Sequence, residues 1–360
     1  MMRLTPLVIF LGLTTSIAAA DEVKIVGTID QSLPATASTN LKAGSKNTGE
    51  KHIKLLKLEL SKNKKNDIAN KLTETANPSL FASASYLPKK VQLGMNDVPV
   101  LDQGHYGTCA TFAVTAAIDA VIGKGDYISQ LCSLELGNYL EKNATISSGW
   151  DGSMAPYILT ELSLFGVVDK EKQAIYGCGG LNQYPTQEEP IPETDMSPVD
   201  YHQLSTSLQQ KMGWSPIINE FTLKEKQTVA SVIKNIKTIL NAKDRLPVGA
   251  LLADVNFGTA GALGQYHAVN DTWVLTPEII KDLTDFINGD NPDFKYGGHE
   301  MVLTGYDDSA VAKDSYGRTY KGLFTLRNSW GKERGDKGDF YMSYNYFATL
   351  VLEAHRIRSK

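Results

Sequence analysis

Apolar residues recur along this chain with two periods. Residues 22–29 alternate apolar with polar and are β-branched, and in residues 52–60 Leu56, Leu58 and Leu60 fall on one face. Both stretches read as strands that can close a hairpin. The chain between them is rich in Ser, Thr, Gly and Asn and reads as a long loop. Residues 66–75 form a short polar helix, stopped by Asn77-Pro78. Leu87-Pro88 and Val98-Pro99-Val100 give extended chain. Residues 109–123 are then almost wholly apolar and Ala-rich, the mark of a buried helix. Residues 154–165 predict a second helix ending at Gly166. Residues 229–243 predict a third, with Val232, Ile236, Ile239 and Leu240 at helical spacing. Short apolar or alternating runs at 248–253, 301–306, 322–327 and 338–343 read as strands. Helices lead and strands follow, which gives an α+β protein with a helical half and a sheet half. Residues 179–222, with Pro185, Pro190, Pro192 and Pro198, and residues 256–297 read as added surface loops. Residues 308–321 lengthen a hairpin.

Composition narrows the function classes. A chain of 360 residues with 42% hydrophobic content can bury one large core or two smaller ones, which excludes disorder of the whole. A net charge of -4, without a basic aromatic stripe, argues against a nucleic-acid partner. The first twenty residues run from Arg3 through an apolar stretch at 7–13 to Ala18, Ala19 and Ala20, the order of an export signal, so the mature chain begins near Asp21. That apolar stretch is too short to span a bilayer. Residues 21–80 carry ten Lys against seven Asp and Glu, whereas residues 81–360 carry a net -8. The two parts attract, and the first has too little apolar surface to fold alone, as in a prosegment that leans on its domain. Six scattered histidines offer no metal-ligand spacing. Three cysteines, Cys109, Cys132 and Cys178, leave at least one free thiol.

Cys109 has the strongest chemical context. It lies in Asp102-Gln103-Gly104-His105-Tyr106-Gly107-Thr108-Cys109-Ala110-Thr111-Phe112-Ala113, where a Gly-rich loop delivers a cysteine to the first turn of a helix. Unpaired N–H groups there favour the thiolate. The Gln103 amide can point an N–H at a developing oxyanion, with the Cys109 backbone N–H as second donor.

This loop resembles the active-site loop of papain-like cysteine peptidases. Tyr296-Gly297-Gly298-His299-Glu300-Met301-Val302-Leu303-Thr304-Gly305-Tyr306 looks like that family's histidine strand, and Leu326-Arg327-Asn328-Ser329-Trp330-Gly331 is similar to its asparagine segment. Ser148-Gly149-Trp150-Asp151-Gly152-Ser153 looks like its substrate-binding loop. The likeness covers roughly residues 86–350. It implies a two-lobed fold, with a cleft between a helical half and a β-sheet or barrel half. It also implies Cys109 as nucleophile, His299 as base, Asn328 as orienting group and Gln103 in the oxyanion hole. Trp150, Asp151, Gly152, Ser153, Gly298 and Trp330 then contact substrate, with Trp330 also covering the His299–Asn328 bond. The resemblance implies a secreted zymogen without cofactor, acting as a monomer on proteins or peptides and inhibited by its own prosegment. Residues 1–20 are the leader, 21–85 the propeptide, removed somewhere between Ala76 and Lys90, and 86–360 the peptidase. Opposite charges on the two parts suggest release by acid or salt.

The departures are informative. Tyr106 and Trp150 stand where the family has a disulfide, and are expected to pack together instead. Ala110 replaces an aromatic residue and Ser153 a glycine. His299 and Asn328 follow Cys109 by 190 and 219 residues, more than the roughly 130–150 of papain-type chains, which insertions explain. His267 in Tyr266-His267-Ala268-Val269 is a second histidine candidate, but Asn270-Asp271 breaks the strand after it. Cys132 and Cys178 are either bridged or two buried thiols. Two other readings keep the fold: a catalytically silent binding protein, and a thiol aminopeptidase or acyl transferase.

Overall fold

The structure is a computed structural model and describes residues 22–33, 51–75, 86–144, 148–185, 190–219, 227–253, 271–291 and 296–360. The leader, the loop at 34–50, most of the expected cleavage region and His267 lie outside the described residues.

The chain begins as the alternation predicts. Strands β1 (Val23–Leu33) and β2 (Lys51–Leu60) pair antiparallel from Val23 opposite Leu60 to Leu33 opposite Lys51. Helix α1 (Lys62–Thr75) starts four residues before the expected position. Ser61 explains the early start, because its Oγ accepts the Lys64 N–H at 3.1 Å and nucleates the first turn.

Five helices make the helical half: α2 (Cys109–Ile122), α3 (Gln130–Ala144), α4 (Ala155–Phe165), α5 (Lys170–Tyr176) and α6 (Pro198–Leu204). Helix α2 is buried from Cys109 through Ala120, as its apolar run requires. The sheet half contains β3 (Lys90–Gln92), β4 (Met212–Asn219), β5 (Leu246–Leu252), β6 (Thr272–Trp273), β7 (Gly297–Lys313), β8 (Thr319–Arg327), β9 (Asp339–Ser343) and β10 (Val351–Ser359). Its order is β4-β10-β5-β7-β8-β9-β6, antiparallel except where β6 runs parallel to β9. Helices α7 (Val229–Asn241), α8 (Pro277–Asn288) and α9 (Tyr344–Leu350) belong to this half. The α+β class and the two-lobed layout are as expected.

Two stretches read as surface loops are structured. Residues 179–222 contain α6 and the edge strand β4, and residues 256–297 contain β6 and α8. The misreading came from proline: Pro198 and Pro277 stand in first helical turns, behind the caps Ser197 and Thr276, where a missing N–H costs nothing. The β7–β8 hairpin does continue, to Lys313 opposite Thr319.

The N-terminal segment is built into the sheet half. Strand β2 adds to β7 by pairing Leu56 with Gly298 and Lys57 with Gly297. Val23, Leu33, Ile53, Leu55, Leu60 and Ile68 share one core with Leu251, Trp330 and Phe347. Glu74 Oε2 accepts the Val229 N–H at 2.9 Å, at the head of α7.

Tyr106 and Trp150 pack edge to face in the helical half, ring centroids 5.1 Å apart, and Cys132 and Cys178 form a disulfide beside them. The two rings meet as expected, and the contact adds buried aromatic area to that core. Trp150→Ala is expected to lower the unfolding free energy by about 3–5 kcal/mol in a denaturant titration. A loss under about 1 kcal/mol would mean that this contact does not hold the loop.

Candidate active site

Cys109 arrives at its position because the loop before it is tied down. Asp102 bridges to Trp330, and the Gln103 N–H donates to the Ser329 carbonyl at 2.8 Å. Gly104 N–H donates to Asp102 Oδ1 at 2.9 Å, which turns the chain into α2. The wholly buried Cys109 is therefore the first residue of a buried helix, facing β7.

His299 lies on β7 opposite Ala250 of β5, and Asn328 follows β8 directly. His299 Nε2 and Asn328 Oδ1 are 2.8 Å apart. The Ser329 N–H also donates to Asn328 Oδ1, at 2.7 Å, so that atom is the amide oxygen and His299 Nε2 must be the donor. This leaves Nδ1 with its lone pair, buried and without a hydrogen-bond partner. The Trp330 ring lies over the imidazole, centroids 4.6 Å apart and planes 28° from parallel, and shields the bond from water.

Cys109 and His299 line one cavity with Ser153, Gly298, Glu300 and Glu353. Leu56 and Leu58 of β2 line it as well. A Cβ on Gly298 would come within 2.6 Å of Leu58 Cδ1, and one on Gly152 would overlap the Leu56 side chain. Both glycines make room for the N-terminal strand.

Burial governs the electrostatics. It pushes the Cys109 thiol up to about 12, and the Glu300 charge adds to the rise, against N–H groups of Glu300 and Ala110 that favour the thiolate. Burial also pulls His299 down to about 4, opposed by its bond to Asn328. The pair is neutral near pH 7, a thiol and an imidazole. The expected thiolate is therefore missing from this closed form, because burial outweighs the helix terminus.

Gln103 is fully buried. Its Nε2 donates to the Tyr106 carbonyl at 2.8 Å, and its Oε1 accepts the Ser329 hydroxyl at 2.7 Å. One amide hydrogen is thus engaged. Ser329, quoted in the motif without a role, holds the side chain of Gln103. Among the expected substrate contacts, Ser153 and Gly298 line the cavity and Trp330 covers His299. The Trp150 ring is buried in the helical half, and its Nε1 donates to Glu135 Oε1 at 3.2 Å. Asp151 is exposed, and its carbonyl abuts Gly107. Glu300 and Glu353 had no expected role, although an acid inside the mostly apolar runs 297–306 and 351–354 was a visible signal.

No protein-family model matches the chain, and no curated protein matches it. Among solved structures it is similar to xylellain, a cysteine protease from Xylella fastidiosa, at 20% identity over 79% of this chain and 90% of that one, TM-score 0.48. It is also similar to digestive procathepsin L 3 of Tenebrio molitor larval midgut, at 17% identity over 77% and 71%, TM-score 0.45. The proform of the ragweed pollen allergen Amb a 11 cysteine protease aligns at 16% identity over 78% and 68%, TM-score 0.42. Likenesses this distant carry no conclusion about activity.

Proposed function

We propose that this chain is the proenzyme of a secreted cysteine peptidase of the papain kind. The observation that carries the reading is His299, with Nε2 committed to Asn328, Nδ1 unpartnered, and Cys109 in the same cavity. Nδ1 takes the thiol proton, and the thiolate attacks a peptide carbonyl. The tetrahedral oxyanion meets the second Gln103 Nε2–H and the Cys109 N–H. His299 then gives its proton to the leaving amine, and water releases the acyl group from sulfur. The amide of Asn328 orients the imidazolium without taking its proton.

Residues 21–85 are the inhibitory propeptide and 86–360 the peptidase, exported by the first twenty residues. Strand β2 pairs with β7 beside His299 and puts Leu56 and Leu58 in the cavity lining, which supports latency by occlusion. Lys51 pairs with Asp102 and donates to the Trp330 carbonyl at 3.1 Å, and His105 Nε2 lies 3.4 Å from Asp30 Oδ1. The Lys51 pair is partly exposed, so salt weakens it while leaving the apolar contacts in place.

The test uses the full chain, cut by limited proteolysis between residues 76 and 85, and identifies products from a peptide mixture by mass spectrometry. Internal cleavage that disappears in Cys109→Ala is expected. Absence of cleavage by folded, cut protein would overturn the reading. A second expectation concerns latency. Leu56→Asp combined with Leu58→Asp makes the uncut chain active, by at least tenfold over the uncut parent in a fluorogenic peptide assay. An uncut double variant as silent as its parent would count against occlusion by β2.

A further inference from the structure

Beneath the Leu56 and Leu58 side chains, the cavity floor holds two carboxyl groups. Glu300 of β7 and Glu353 of β10 both stand opposite Gly249 of β5, so the three residues form one row across three strands. Gly249 adopts an ordinary negative-φ backbone, so its chain path does not need glycine. The space does. A Cβ there would sit 2.9 Å from Glu353 Cγ and 3.1 Å from Glu353 Oε1. The missing side chain lets the two acids meet over β5, where they hydrogen-bond each other.

The pair is nearly inaccessible and incompletely satisfied. Glu300 and Glu353 are each 3% exposed. Glu353 Oε1 accepts the Ala155 N–H at 3.2 Å, while Glu300 Oε1 and Glu353 Oε2 have no hydrogen-bond partner. Among the described residues neither carboxyl has a Lys or Arg partner. His355 Nδ1 lies 3.8 Å from Glu353 Oε2, and burial pulls that imidazole down to about 4, so it brings no charge. Burial raises both acids, Glu353 to about 8, and the Glu353 charge raises Glu300 further, so the covered pair retains protons. Held neutral by burial, the two acids need no cation while the cavity is covered; once ionised there, they call for one. Cys109 and His299 line the same cavity, so a peptide that reaches Cys109 brings its side chains to these acids.

We propose that Glu300 and Glu353 determine specificity, forming the floor of a pocket that receives the cationic side chain, lysine or arginine, of the peptide being cut. This rests on the peptidase reading above. Once β2 leaves, a pair holding one proton carries a single negative charge, which matches one ammonium or guanidinium. Leu56 and Leu58 mask the floor with apolar groups, which keeps a substrate cation out of the uncut chain.

The test uses the full chain cut between residues 76 and 85, with peptides varied one position at a time among Arg, Lys, Leu, Gln and Glu. At one position on the acyl side, Arg or Lys is expected to exceed Leu in kcat/KM by at least tenfold. In Glu300→Gln and Glu353→Gln the ratio of kcat/KM for the Arg or Lys peptides to that for the Leu peptides falls by tenfold or more. Glu353→Asp withdraws the carboxylate by one methylene and shifts the preference from Lys towards the longer Arg. This substitution keeps an acid in the row and decides the matter if the Gln variants fail to fold. Cleavage with no basic preference, or a preference intact in the Gln and Asp variants, overturns the proposal and leaves the peptidase reading standing. No cleavage of any peptide, together with no alkylation of Cys109, overturns the peptidase reading itself.

Discussion

Cys109→Ala is expected to remove peptide cleavage, lowering kcat/KM by roughly 10^4 to 10^6 in the cut protein. Nothing else in the cavity replaces the thiol: Cys132 and Cys178 are consumed in a disulfide in the helical half, and Cys109 is the remaining free cysteine. The loss should not come from unfolding, because alanine shortens a buried side chain by one atom. In the proposed mechanism Cys109 and His299 act as one unit, so His299→Ala should cost a similar factor and the double variant little more. More than about 1% residual activity in Cys109→Ala would point to another nucleophile. Losses from the two single variants that multiply in the double variant would deny that they cooperate.

The second large effect is on the thiol itself. In the closed form Cys109 titrates near 12, held there by burial and by Glu300. Below its pKa a thiol loses tenfold in thiolate for each unit of elevation, and an unperturbed cysteine titrates near 8.5. Cutting the chain and letting β2 leave admits water to the cavity, restores the influence of the α2 terminus and brings the pKa down. Alkylation at pH 7 should then rise by about a thousandfold. In the uncut chain the rate should climb across pH 7–9 without a plateau, whereas in the cut protein it should level off at lower pH. Equal rates and matching profiles before and after cutting would mean that the N-terminal segment does not control the thiol.

Some of this was legible in the sequence and some was not, for physical reasons. The β1–β2 hairpin and α2 follow from strong local periodicity, and Gln103, Cys109, His299 and Asn328 from motifs with distinctive order. Elements with weak local signals escaped. The segment containing α8 announces itself with Pro277, which marks a loop and a helix start equally well. The neutrality of Cys109 and His299 was hidden because it depends on what covers them, and β2 reaches Gly298 from more than 200 residues away. The same holds for Glu300 and Glu353. Each looks like a single acid within an apolar run, and only the strand order β10-β5-β7 makes them neighbours. The burial of the Trp150 indole in the core of the helical half was also hidden, because its motif reads only as a loop.

The central claim is that Cys109 carries the acyl group of a cleaved peptide. Cut protein mixed with a peptide thioester and quenched in acid within milliseconds would show this by mass spectrometry. The account predicts an acyl mass increment on the proteolytic fragment bearing Cys109, which accumulates and then decays, and which is absent from Cys109→Ala. Turnover without such an increment, or an increment on another residue, would contradict it.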